Sequence, residues 1–370
     1  MTPLAALLAE RIRRLGPITF AEYMRECLYH PLHGYYAQPE ARRHDYFTSG
    51  DVGPIFGRLL ARQLAEIWRL LDRPRDFLLV EAAAGTGRLA SHILEFAESR
   101  LPEFFAALTY VAVDRSVARC EQLASRLKSF LERGKCRASV EFPASIPTGC
   151  VFSNELIDAF PVHRVVQRGG ALMELFVTSG GNSFSEAALP LSTCAITDYF
   201  DAQRITLREG QIAEAGLEAC DWITEIARRI VRGFVLTIDY GHEAGELVDD
   251  HHMAGTLLSY KKHQASDNLY TALGEQDLTA HVNFTALQQW GARQGLETLG
   301  LVSQTAFLLA LGKGNDFADL YDDGMDEAAR TRARLQLKTL IYPEGMGERF
   351  RVLIQQKGVP GARLTGLTPL

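Results

Sequence analysis

Phe77-Leu78-Leu79-Val80-Glu81-Ala82-Ala83-Ala84-Gly85-Thr86-Gly87 opens on a continuous apolar run and closes on a glycine-punctuated loop. Four apolar residues without polar alternation suit a strand buried on both faces, as in a parallel sheet. The glycines permit a tight turn and let the backbone approach a ligand closely. Leu89, Ile93, Leu94 and Ala97 then recur at helical spacing, so the stretch reads as strand, loop and helix.

The same order recurs downstream. Tyr110-Val111-Ala112-Val113 is a second strand, ending at Asp114. Ser116 can cap the following helix, whose stripe is Val117, Cys120, Leu123, Ala124 and Leu127. Cys150-Val151-Phe152 runs into Ser153-Asn154-Glu155, and Phe234-Val235-Leu236-Thr237-Ile238 ends in Asp239-Tyr240-Gly241. Strands alternating with helices predict an α/β fold with a doubly wound, mostly parallel sheet.

Upstream, Leu4 to Leu15 reads as a helix stopped by Gly16-Pro17. Thr19 and Glu22 form a capping box for a second helix. Ile55 to Leu71 is a strong amphipathic helix. Between Val162 and Gly216 the pattern breaks: Val162 to Val166 and Leu172 to Val177 flank Gly169-Gly170 as a hairpin. Thr285 to Gln294 and Glu327 to Leu340 read as further helices. The expected organisation is 1–72 as N-terminal helices and lid, 73–161 as cofactor-binding core, 162–216 as inserted substrate region, and 217–370 as the second half of the core with C-terminal helices.

The 370 residues are 47% hydrophobic and 23% charged, which predicts a folded chain with a sizeable core. A net charge of −6 argues against a nucleic-acid partner, which needs a basic face. No apolar run approaches the roughly 20 residues of a membrane span. The six cysteines form no CxxC pair and suit a reducing compartment, so a cytoplasmic location is expected. Arg11, Arg13 and Arg14 invite comparison with a mitochondrial presequence, but Glu10 interrupts the stretch and a first helix is the preferred reading.

Open α/β sheets bind ligands outside the carboxyl ends of their strands. Here those ends carry Glu81 with Ala83, Gly85 and Gly87, then Asp114, then Asn154 and Glu155, then Asp239 and Tyr240. An acidic residue ending the second strand can accept both ribose hydroxyls. A dinucleotide and S-adenosylmethionine both fit this outline. The loop lacks G-x-G-x-x-G, the pyrophosphate fingerprint, and Glu81 would repel a pyrophosphate. The sulfonium and ammonium of S-adenosylmethionine are favoured by acidic strand ends. A nicotinamide oxidoreductase is therefore the weaker reading.

Several further stretches are specific: ITFAEYM, LYHPLHGYY, DYFTSG, NELIDAFPV, IDYG, GTLLSYKKH, GEQDLTAHVNF and YPEGMGERF. Through them the chain resembles the MidA family of class I S-adenosylmethionine-dependent methyltransferases, from Thr19 to near Gly358. The resemblance implies a Rossmann-like fold, S-adenosylmethionine as cofactor, and arginine methylation of a protein such as a complex I subunit. It also adds Thr48 and Ser49, in the family's TSPE position, to the cofactor-binding set. The sequence departs from the family at three places. E-x-G-P-G-x-G has Ala83 and Ala84 for its first glycine and its proline, TSPE reads Thr48-Ser49-Gly50-Asp51, and the usual arginine after GTL is Leu258.

Arginine presents five donors in a planar, permanently charged fork. Carboxylates can hold that fork and aim one nitrogen. Glu155 and Asp158, in NELIDAFP, are the expected catalytic pair, with Asn154 on the cofactor or substrate nitrogen. His281, in DLTAHVNF, is expected to orient the acceptor or relay its proton. Tyr35, Tyr36, Tyr46 and Phe47 are candidates for a lid. The run from His242 through His252 has no metal-ligand spacing; it reads as a flexible polar loop, and no metal is expected. Two other readings stay open: an O- or N-methyltransferase for a small molecule, and a non-catalytic assembly factor with the same fold. A homodimer is also compatible with the sequence.

Overall fold

The computed structural model describes residues 1–37, 49–180, 183–262, 264–314, 316–318, 325–342 and 346–369. Contacts divide the chain into two compact units. The first, here the sheet unit, comprises Thr48–Leu156, Thr224–Tyr240 and Gly291–Leu370. The second comprises Met1–Phe47, Ile157–Ile223 and Gly241–Trp290.

In the sheet unit seven strands lie in the order Glu297–Ser303, Phe350–Lys357, Ile230–His242, Ile146–Asn154, Phe77–Ala82, Leu108–Val113 and Cys136–Ser139. The five from Ile230–His242 onward are mutually parallel. Phe350–Lys357 is antiparallel to both of its neighbours. From Phe77–Ala82 the chain builds outward through Leu108–Val113 to Cys136–Ser139, then returns to lay Ile146–Asn154 on the other side. The strand order therefore reverses between Phe77–Ala82 and Ile146–Asn154, and such a switch point opens a crevice at the carboxyl ends. The register brings those ends level: Ala82 pairs with Val113 and Ser153, and Ser153 with Thr237.

The strands are apolar because both faces are covered. Phe77, Leu79, Val80, Tyr110, Ala112, Phe152, Phe234 and Leu236 are all fully buried. Helix Pro54–Leu70 begins with proline at its first position, where a missing N–H costs nothing. It buries Ile55, Phe56, Leu59, Leu60, Leu64 and Ile67 in the same core. Each such side chain contributes roughly 1.5–3 kcal/mol. Helix Val117–Arg126 is capped by Ser116, whose hydroxyl accepts from Arg119 N.

The second unit holds an antiparallel sheet in the order Ile18–Thr19, Ala171–Gly180, His163–Arg168, Ile212–Ala215, with Ser183–Leu189 also paired to Ala171–Gly180. The hairpin expected around Gly169-Gly170 is present, with Arg168 opposite Ala171. A three-stranded sheet joins Gln264–Ser266, Leu258–Lys261 and Asp277–Thr279. Helix Phe20–Tyr29 starts on the Thr19/Glu22 capping box.

This division differs from the segments read in the sequence. Helix Pro54–Leu70 belongs to the sheet unit, whereas Gly241–Trp290 leaves it. The cause is long-range pairing: Gly241 and His242 pair in parallel with Val282 and Asn283, which returns that excursion to the second unit. Tyr35 is fully buried in the second unit's core, and Tyr36 donates to Asp277 Oδ1 at 3.0 Å. Both are packing residues in this structure, not an open lid. Tyr46 and Phe47 lie outside the described residues.

Candidate active site

The turn after Phe77–Ala82 runs through left-handed backbone. Ala83 has φ 54°, Gly85 56° and Gly87 75°. Ala84 N donates to Val113 O at 2.9 Å, and Gly87 N to Ala84 O at 2.9 Å. A Cβ on Gly87 would lie 2.6 Å from Leu123 Cδ2 and push that side chain aside, and its φ of 75° favours glycine independently. Ala83 bears the left-handed conformation with a methyl group, at a cost of about 1–2 kcal/mol. Gly87 also caps helix Arg88–Arg100 without any side-chain cap.

Asp114 holds this loop to the neighbouring strand. Its Oδ2 accepts from Gly85 N at 3.1 Å and its Oδ1 from Ser116 N at 2.9 Å. Arg119 Nη1 stands 3.7 Å from Oδ2. A carboxylate has about four acceptor directions, so lone pairs remain for ribose hydroxyls. Asp114 thus shapes the loop as well as carrying the acceptor oxygens expected of it.

Glu81 is buried and accepts from Tyr110 Oη at 2.7 Å. Burial pushes its carboxyl up to about 8; the Tyr110 hydrogen bond opposes this, and the charge of Asp114 adds to it. On the next strand, Asn154 Nδ2 donates to Glu155 Oε1 at 3.0 Å, while Asn154 Oδ1 is buried with no partner among the described residues. Glu155 has φ 52°. Its Oε1 also accepts from Ser49 N at 2.7 Å. The Ser49 hydroxyl donates to Gln304 Oε1 at 3.2 Å. Asp239 is fully buried and accepts from Leu156 N and Tyr240 N at 3.1 and 3.0 Å.

Glu81, Ala83, Gly85, Gly87, Asp114, Asn154, Glu155 and Ser49 are therefore gathered in the sheet unit, most of them at the carboxyl ends of its central strands. Thr48 lies outside the described residues. The group fits S-adenosylmethionine on three observations: an orphaned buried acceptor at Asn154, a left-handed glycine turn at Gly85 and Gly87 that lets backbone approach a ligand, and the neighbouring acids Glu81 and Asp114.

Two expected residues fall elsewhere. Asp158 and His281 belong to the second unit, while Glu155 belongs to the sheet unit. Asp158 is buried in the 3-10 turn Ile157–Ala159, and its carbonyl accepts from Ala280 N at 3.0 Å. The His281 ring sits 5.3 Å from that of His242, centroid to centroid.

The second unit also encloses a cavity lined by Phe160, Val162, Tyr199, Glu214, Thr256 and His281, among others. Glu214 Oε2 accepts from Thr256 N at 3.0 Å and from its hydroxyl at 3.1 Å. Glu214 Oε1 is buried with no partner among the described residues. Burial raises the Glu214 carboxyl, against the lowering effect of Arg164 and Thr256. Nothing in the local sequence QIAEAG distinguishes this residue; only the return of Thr256 beside it does. His242 and His252, from the run expected to be a flexible polar loop, also converge on His281. Their separations in sequence match no metal motif, so the sequence carries no signal of the cluster.

Comparison with known proteins agrees with the geometry. The family model described as S-adenosyl-L-methionine-dependent methyltransferase matches residues 59–302. Protein arginine methyltransferase NDUFAF7, mitochondrial, of Rattus norvegicus is 30% identical over 374 residues, covering 95% of this chain and 83% of that protein. The Homo sapiens protein of the same name is 28% identical, covering 98% of this chain and 86% of its own length. A Burkholderia thailandensis protein crystallised with S-adenosyl-homocysteine is 28% identical, covers 99% of this chain and 94% of its own, and gives a TM-score of 0.86.

Proposed function

The chain belongs to the S-adenosyl-L-methionine-dependent methyltransferase family, and from that premise we propose that its methyl acceptor is an arginine side chain of a protein. The observation that carries the proposal is Glu214: a buried carboxylate oxygen with no partner among the described residues, in the wall of a largely apolar cavity. Apolar walls suit the three-carbon stem of arginine, and the carboxylate suits its guanidinium fork. The names of the curated relatives support the same reading.

When bound, the cofactor supplies an electrophilic methyl group on a cationic sulfur. The chain's own residues do the rest. Asp114 provides negative charge at the strand ends, Glu81 adds to it once its raised carboxyl ionises, and Asp114 together with the glycine loop seats the ribose. Asn154 Oδ1, without a partner among the described residues, would accept from an amino or hydroxyl group of the cofactor. Glu155 is a positioning residue, because its Oε1 holds Ser49 N and Asn154 Nδ2. Asp158 and Glu214 are the carboxylates proposed to hold and orient the guanidinium. The new N–C bond would form as the methyl–sulfur bond breaks and a neutral thioether leaves; the nitrogen would then give up a proton, and we assign that proton to a carboxylate in preference to His281. Orientation at near-attack distance accounts for most of the rate gain.

Three finer expectations form part of the proposal: a complex I subunit as acceptor, a homodimeric assembly, and a cytoplasmic location. Six free cysteines support a reducing compartment. The test is transfer of labelled methyl to protein from lysate, followed by hydrolysis and amino-acid analysis. Label in methylarginine supports the proposal, and label confined to a small molecule favours the O- or N-methyltransferase reading.

A further inference from the structure

His242, His252 and His281 come from three separate segments of the second unit, yet one ligating atom of each lies within 4.8 Å of the others. The ring centroids are 5.3 Å apart for His242 and His281, 5.8 Å for His242 and His252, and 6.1 Å for His252 and His281.

Backbone structure fixes each of them. Gly241 and His242 pair with Val282 and Asn283, which brings His242 beside His281. His281 N donates to Thr256 Oγ1 at 3.1 Å. His252 ends the 3-10 turn Asp250–His252, whose cap Asp249 accepts from His251 N and His252 N at 2.8 and 3.2 Å.

Carboxylates stand behind two of the rings. His252 Nδ1 lies 3.0 Å from Asp249 Oδ1 and 2.8 Å from Glu246 O, which leaves Nε2 as its ligating nitrogen. Glu246 Oε2 lies 3.4 Å from His242 Nδ1. A carboxylate behind an imidazole orients the ring and raises its basicity as a ligand. All three residues are half-buried, so the cluster is neither a loose surface group nor a sealed core.

We propose that His242, His252 and His281 hold one divalent transition-metal ion of the Zn2+ class. Imidazole nitrogen suits Zn2+ and its neighbours, whereas Mg2+ and Ca2+ prefer oxygen. Tetrahedral Zn–N bonds of about 2.1 Å place the nitrogens about 3.4 Å apart, a closure that side-chain rotation supplies. Three protein ligands leave a fourth position for solvent. The ion ties His242 and His252, in the first part of the Gly241–Trp290 excursion, to His281 in its last part. Leu247, Val248, Thr256 and His281 from that excursion also line the cavity with Glu214. The ion therefore sets the wall of the cavity in place.

The test uses the full chain, stripped with a chelator and titrated with Zn2+ alone by calorimetry, with Co2+ as a spectroscopic probe. Expected are one ion per chain, visible absorption bands for low-coordinate Co2+, and a higher Tm with Zn2+. His252→Ala abolishes this tight site. Asp249→Asn retains the turn cap, since asparagine also caps, and weakens Zn2+ binding roughly 10- to 100-fold by loosening the His252 ring. Absence of stoichiometric Zn2+ binding overturns the proposal. So does Zn2+ affinity that is unchanged in either variant. If His252→Ala does not fold, Asp249→Asn decides alone.

Discussion

Asp114 Oδ2 accepts a hydrogen bond from Gly85 N at 3.1 Å, so the acid that ends one strand fastens the glycine loop that ends its neighbour. Cofactor contact and loop shape are therefore coupled in one side chain. Asp114→Ala removes both. A lost charge-assisted hydrogen bond is worth about 1.5–3 kcal/mol, so S-adenosyl-homocysteine binding should fall roughly 10- to 150-fold. Calorimetry on the purified variant checks this. Unchanged affinity would remove Asp114 from the site.

Ala83 occupies left-handed backbone at φ 54°. The resembling family carries glycine there, and the positive φ supplies the reason. Ala83→Gly relieves about 1–2 kcal/mol of backbone strain and gives back about 0.5–1 kcal/mol of unfolded-state entropy. The expected net effect is neutral to about 1.5 kcal/mol stabilising, with cofactor affinity kept or improved. Denaturant unfolding and calorimetry measure the two parts. Destabilisation would mean that the alanine methyl makes a packing contact worth more than the strain.

Glu81 gives the site a pH dependence. Its carboxyl sits at about 8 in the fold against an ordinary value of 4.5. The folded state therefore holds a proton that the unfolded chain has lost. The stability contribution of the protonated group is full below about 4.5 and is lost as pH rises through about 8. Cofactor binding has the opposite sign, because a cationic ligand favours the ionised carboxylate. Affinity for S-adenosylmethionine should rise from pH 6 to beyond pH 8 with release of a proton. S-adenosyl-homocysteine, which lacks the sulfonium charge, should respond less. Titrations in buffers of different ionisation enthalpy count that proton, and Glu81→Gln should abolish it.

Much of this arrangement is legible in the chain itself. Phe77–Val80, Tyr110–Val113 and Cys150–Phe152 announce themselves as apolar runs, and each is the heart of a longer strand: Phe77–Ala82, Leu108–Val113 and Ile146–Asn154. The Thr19/Glu22 box and the Gly169-Gly170 turn are equally local signals. What the sequence hides depends on distant pairing. Phe350–Lys357 enters the sheet between Glu297–Ser303 and Ile230–His242, and no short-range pattern points to that slot. Membership of Gly241–Trp290 in the second unit follows from Gly241 meeting Val282. Glu214 becomes notable only because Thr256 returns beside it. The commitment of Glu155 Oε1 to Ser49 spans 106 residues, so spacing within NELIDAFP could not show it.

Asp158→Asn and Glu214→Gln keep side-chain shape and remove charge. Each should leave cofactor affinity intact and lower methyl transfer tenfold or more, since about 1.4 kcal/mol of lost transition-state stabilisation gives that factor. Single-turnover assays separate this from a change in binding. Glu155→Gln should differ, loosening Ser49 and Asn154 and weakening cofactor binding itself. Full activity in both Asp158→Asn and Glu214→Gln would move the acceptor site elsewhere.

The most direct test concerns the acceptor atom. The purified chain is incubated with methyl-labelled S-adenosylmethionine and cell lysate, and the labelled product is hydrolysed to its amino acids. The proposal predicts label in methylarginine from protein, lost when the modified arginine is replaced by lysine, because a point charge cannot stand in for the planar fork. Label found only on a small molecule, or on protein residues other than arginine, would contradict it.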